Sequence, residues 1–152
     1  MSLDSGKARA SWAVLLAVAG VSAIGCGSEL ATVTGQVTLN GEPVIGGGSV
    51  RGTVYFFPEG GTGAPAVGLI DETGSYRVTT GSMRGVEPGT YLVTISASEI
   101  VPSKVVGAAP AGRVITPRKY ADPSKSGFRV DVGAGANEFD FDLVAERSRR
   151  RR

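Results

Sequence analysis

The sequence predicts an all-β domain of antiparallel strands, and three observations predict it. Apolar residues recur at every second position over several short stretches, most clearly on either side of Asp71–Gly74, and a period of two marks strands with one buried face. These stretches are separated by turn-forming residues, in a chain with 23 glycines and 8 prolines among 152 residues. That composition suits short strands joined by tight turns. Outside the N-terminus, no long segment carries the 3.6-residue repeat of an amphipathic helix.

Composition also excludes several chemistries. Histidine is absent and cysteine occurs once, at Cys26. An intrachain disulfide and a Cys/His zinc site are therefore excluded, and the commonest general base is missing. No catalytic residue, metal or cofactor is expected. The length suits one domain with appendages. The formal net charge of +2 averages two unlike regions. Residues 27–145 carry twelve acidic and nine basic side chains, a net of −3, whereas five arginines fall within the last six positions.

The N-terminus reads as an export signal. Lys7 and Arg9 precede an apolar run from Trp12 to Ile24, 13 residues long, which leads into Gly25-Cys26. The run is too short to span a bilayer as a helix, for which about 20 residues are needed. A basic n-region, an apolar h-region and small residues before a cut describe a secretory signal peptide over residues 1–25. Ala23-Ile24-Gly25-Cys26 resembles the lipobox of bacterial lipoproteins, with Ala23 where that family prefers Leu. The resemblance implies cleavage before Cys26, acylation of its thiol with chains such as palmitate, and a membrane-held tether over residues 26–31. Gly27, in place of the Asp associated with inner-membrane retention, implies the periplasmic face of the outer membrane or the cell surface. An ordinary signal peptide with an incidental Cys, or a Cys buried in an N-terminal helix, is the alternative.

The first strand follows, with Val33, Gly35, Val37 and Leu39 alternating with Thr32, Thr34, Gln36 and Thr38. Asn40-Gly41 is a hairpin-turn signal. Gly46-Gly47-Gly48 reads as a flexible joint, and it lacks the helix with Lys or Ser/Thr that a phosphate cradle requires. A second strand, Gly52 to Phe57, sets Val54 and Phe56 on one face and Tyr55 and Phe57 on the other. A third runs from about Ala66 to Ile70, with Val67 and Leu69 as its expected inward residues. The Asp71–Gly74 turn leads to Tyr76 and Val78, and after Pro88-Gly89 come Tyr91, Val93 and Ile95. The expected core is Val37, Phe56, Tyr76, Tyr91, Val93, Ile95, Phe139 and Phe141.

Gly35-x-Val37, Gly41-x-Pro43-Val44, Asp71-x-x-Gly74-x-Tyr76 and Pro88-Gly89-x-Tyr91-x-Val93 occur in that order. Together they resemble the carboxypeptidase regulatory-like domain across residues 32–96. The resemblance implies a single seven-stranded β-sandwich of the transthyretin (prealbumin) type over residues 32–145. Pro117-x-Lys119-Tyr120 and Asn137-x-Phe139-Asp140-Phe141-x-Leu143 resemble small secreted bacterial lipoproteins built on that domain. Gly46 to Gly52 departs from the family as an insertion before the second strand.

Residues 97–127, with four prolines, read as one long irregular loop, and a loop of this length is usually functional or disordered. Within it, Arg118, Lys119 and Tyr120 are the candidate ligand-contact residues. The competing reading is a latch, with Tyr120 packed on the sandwich edge. A terminal hairpin is expected from Phe128-Val130-Val132 and Phe139-Phe141-Leu143. Asp140 and Asp142 alternate with the latter as a solvated strand face. The tail Arg147–Arg152 is too polar to pack and has the charge to contact anionic headgroups or an acidic polymer. Nucleic acid is not expected as a partner of an exported chain. The function expected from these features is a non-catalytic, lipid-anchored envelope protein with a structural, adhesive or scaffolding role. A glycan- or peptide-binding module is the alternative. Hydroxyisourate hydrolases share the transthyretin-like fold, but the resemblance places histidines in their site, and this chain has none.

Overall fold

The computed structural model describes residues 29–104, 106–107 and 109–145. The apolar run, Cys26 and the arginine-rich tail lie outside the described residues. The described chain is all-β apart from one short 3-10 turn, Arg118–Ala121. Its strands are β1 (Thr32–Leu39), β2 (Glu42–Pro43), β3 (Val50–Pro58), β4 (Ala66–Ile70), β5 (Ser75–Thr80) and β6 (Met83–Arg84), then β7 (Gly89–Val101), β8 (Ala111–Val114), β9 (Phe128–Val132), β10 (Ala136–Glu138) and β11 (Phe141–Leu143).

The strands form one curled sheet with β1, β5, β4, β3 and β7 in spatial order. Beyond β7, its N-terminal half pairs with β9 and its C-terminal end with β8. Beyond β1 lie β10 and β11, which pair with successive halves of it. These two ladders are parallel, and the others are antiparallel. The sheet curls until its two ends meet. Phe128 of β9 and Phe141 of β11 bring their rings to 4.9 Å, and the Tyr120 hydroxyl accepts a 3.0 Å hydrogen bond from the Val144 amide.

Turn chemistry sets the register at the predicted places. Asn40 and Gly41 both take positive φ, 53° and 84°, the geometry of a two-residue type I′ hairpin. The Asp71 carboxylate accepts from the Thr73 amide and hydroxyl at 2.8 and 2.7 Å and from the Ser75 amide at 3.1 Å. It thereby ties β4 to β5. Inside the curl, Phe56 is ringed by Tyr76, Tyr91 and Phe141, with centroids 6.1–6.4 Å away. Val33, Val37, Val54, Val78, Val93 and Ile95 complete this centre and are fully buried.

Four expectations need correction. In β4 the inward residues are Ala66, Gly68 and Ile70, while Leu69 is 72% exposed. The cause is lateral. A Cβ at Gly68 would press on the Tyr76 ring at 2.9 Å, and the Ile70 side chain fills the space above Gly52. Small residues in β4 and β3 therefore face the core to admit bulky neighbours.

The terminal hairpin does not form. Segment 128–132 pairs with β7, whereas 136–138 and 141–143 cross to the other end of the sheet and pair with β1. Both halves show the same alternation, which does not specify the partner. Phe139 lies between β10 and β11, half-buried against the core.

The long loop is shorter than 97–127. β7 continues to Val101, and β8 returns along it. Thr116 Oγ1 accepts from the Ala97 amide at 2.9 Å, and the 3-10 turn follows.

The glycine triplet forms a fitted turn. Gly46 is buried, its amide donates to the Asp71 carbonyl at 2.8 Å, and a side chain there would run into the Ile70 carbonyl. Gly47 and Val50 exchange hydrogen bonds of 3.0 and 2.9 Å.

Candidate functional site

Among the described residues, a groove of about 860 Å³ lies on the outer face of β1, β5 and β4. Register builds it. Thr34 of β1 stands opposite Glu138 of β10 on one side and Arg77 of β5 on the other. Arg77 in turn stands opposite Leu69 of β4. Glu138, Thr34, Arg77 and Leu69 thus form one row across four strands. Side chains alternate faces along a strand; in β1, β5 and β4 the neighbouring positions supply the core, and Glu138 is itself exposed. All four therefore point outward. Adjoining rows add Gln36 with Ser75, and Thr79 with Val67.

The groove mixes donors, acceptors and a small apolar shelf. Asp71 and Asp140 stand at its margin with Glu138. Hydrogen bonding already engages the two aspartates. Asp140 Oδ1 accepts from the Gln36 amide at 2.8 Å, bridging the break between β10 and β11. Asp71 is held below the usual carboxylate range, first by the Thr73 hydroxyl, then by the Thr73 amide, with the Ser75 amide adding a smaller effect. Among the described residues, Arg77, Glu138 and the Thr34 hydroxyl have no side-chain hydrogen-bond or ion-pair partner, and Arg77 and Glu138 are exposed. The floor is rigid. Beneath it, Tyr76 donates 2.6 Å to the Phe139 carbonyl. Burial, followed by the nearby Asp140 charge, raises that phenol far above its ordinary value.

The sequence-predicted candidates lie elsewhere. Tyr120 is only 6% exposed and belongs to the core. Its ring stacks on Phe128 at 5.4 Å, and the Lys119 ammonium lies 4.8 Å from its centroid. Arg118 is exposed at the start of the 3-10 turn. The three residues are adjacent, but the ring a ligand would stack on is packed inside. Cys26 lies outside the described residues. Among the described residues, no group of three or more His, Cys, Asp or Glu side chains is placed to hold a metal ion, and no helix is long and apolar enough to cross a membrane.

Sequence reasoning missed Thr34, Arg77 and Glu138. Each occupies an outward position of an alternating strand, which is visible in the sequence. Their alignment in one row depends on the pairing of β1 with strands about 40 and 100 residues away, which is not. The chain matches no protein-family model, no curated protein and no solved structure.

Proposed function

We propose that this chain is a non-catalytic, lipid-anchored cell-envelope protein, whose β-domain has a structural, adhesive or scaffolding role on the periplasmic face of the outer membrane or the cell surface. The observation that carries the reading is the position of the single cysteine, directly after a basic and then apolar leader and directly before the domain. Ala31 exchanges hydrogen bonds of 2.8 and 3.0 Å with Val86, and β1 starts at Thr32. An anchor at Cys26 would leave five residues, 27–31, between it and β1, at most ~18 Å of chain, and hold the domain close to the bilayer.

The finer fold in this proposal is a carboxypeptidase regulatory-like, transthyretin-type sandwich. Two features support it. Seven strands, β11, β1, β5, β4, β3, β7 and β9, follow one another across the curl. The Tyr91 hydroxyl donates 2.8 Å to the Glu87 carbonyl four residues upstream, a corner motif of β-sandwiches. The described chain ends where Ala145 donates to Asn40 Oδ1, at the opposite end of β1 from Ala31. The Arg147–Arg152 tail, with five arginines, has the charge to contact anionic headgroups or an acidic polymer.

The test is mass spectrometry of the mature protein from separated membrane and soluble fractions, wild type against Cys26→Ser. A diacylated N-terminal Cys26 in the membrane fraction, lost in the variant, is the expected result. A soluble wild type, or an N-terminus upstream of Cys26, overturns the anchor. The second reading, a binding module at the surface, is favoured by the groove over β1, β5 and β4.

A further inference from the structure

We propose that the outer-face groove over β1, β5 and β4 binds a neutral, hydroxyl-rich oligosaccharide, gripped between Glu138 and Arg77. Across the row, these two side chains flank Thr34 on adjacent strands. Strands are spaced about 4.8 Å apart, so their backbones are about 10 Å apart. The opposite charges form no ion pair with each other. A carboxylate that accepts and a guanidinium that donates, with a hydroxyl between them, match the alternating donors and acceptors of a sugar ring. Beside them, Leu69 and Val67 of β4, with the half-exposed Tyr55 of β3 opposite Val67, offer a shelf to the C–H face of the next ring.

Charge and backbone geometry select this class over the alternatives. Asp71, Glu138 and Asp140 outnumber Arg77 around the groove, which repels acidic polysaccharide and nucleic acid. The same net charge would attract a polycation, and hexalysine is the probe for that outcome. A peptide added as a strand needs a free sheet edge. Here the main-chain groups of β5 and β4 are engaged by neighbours on both sides, and β1 is flanked by β5 and by β10 and β11. Side chains alone are available, polar along Glu138, Thr34 and Arg77 and apolar at Leu69 and Val67. The Tyr76–Phe139 bond braces the strands beneath the site.

This inference deepens the surface-module reading and fails separately from the anchor, which is decided by mass rather than by titration. The 15N-labelled full-length chain is titrated with cellohexaose, mannohexaose and N-acetylchitohexaose to about 5 mM, and with hexagalacturonate and hexalysine as charged probes. At least one neutral hexaose is expected to give saturable shifts at the amides of Thr34, Leu69 and Arg77. Arg77→Ala and Glu138→Gln should each weaken that binding about tenfold while leaving the rest of the spectrum in place, because both side chains are exposed. Absence of saturable shifts with all three neutral probes overturns the proposal. So do shifts located elsewhere, binding confined to a charged probe, or variants that bind as wild type.

Discussion

The Tyr76 hydroxyl and the Phe139 carbonyl form a 2.6 Å hydrogen bond that passes directly over Gly35, where a side chain would run into the same carbonyl. The contact joins β5 to the segment between β10 and β11 across the strand that separates them. It closes one end of the curl from within and gives Gly35 a steric role. The elevated phenol pKa keeps the donor protonated at any ordinary pH.

Tyr76→Phe keeps the ring stacking on Phe141 but leaves the Phe139 carbonyl without this donor, for an expected loss of about 1–3 kcal/mol. Gly35→Ala should cost about 3 kcal/mol, because the obstacle is backbone rather than a movable side chain. Urea denaturation of both variants measures this. Unchanged midpoints would mean that the bond does not hold the strands together.

Two substitutions read the faces of the sheet. Phe141 is 4% exposed and touches the rings of Phe56, Tyr76 and Phe128, so Phe141→Ala should cost about 3–5 kcal/mol. Leu69→Ala, on the outer face, should stay within about 0.5 kcal/mol. A large loss at Leu69 would show that β4 presents the other face to the core.

Acid sensitivity should centre on the turn before β9. Asp122 is held down to about 2 by the Ser124 hydroxyl and Lys125, with the Ser124 amide contributing. Its folded value lies below the unfolded one, so its stabilisation is present above the unfolded pKa of about 4. That stabilisation is lost as pH falls through the folded value. Asp122→Asn should therefore flatten the fall in Tm between about pH 4 and pH 2, and parallel wild-type and variant profiles would contradict it.

Tyr120 closes the two ends of the sheet. Tyr120→Phe keeps the stack on Phe128 but removes the acceptor for the Val144 amide, for an expected loss of about 1 kcal/mol. Hydrogen exchange should quicken at Val144 and its neighbours while the Val93 amide stays protected. Uniform quickening would make the closure part of the global unfolding unit.

The sequence by itself determined the class of the fold, most of its turns and much of its core. Alternation in Val33–Val37, in Val54–Phe56 and in Tyr91–Ile95 is a local property of strands, and Asn40-Gly41 and Asp71–Gly74 form turns from their own backbone preferences. It also placed the only cysteine directly after a basic and then apolar segment, which directs the functional proposal to the envelope. Tertiary structure alone decided which way β4 faces, since Gly68 is inward only because Tyr76 needs the space. Segments 136–138 and 141–143 lie along β1 rather than β9, since alternation carries no address for a partner. The row of Glu138, Thr34, Arg77 and Leu69 is likewise a product of pairing. Period is written within a few neighbouring residues, whereas register and partner are settled by packing between residues distant in the chain.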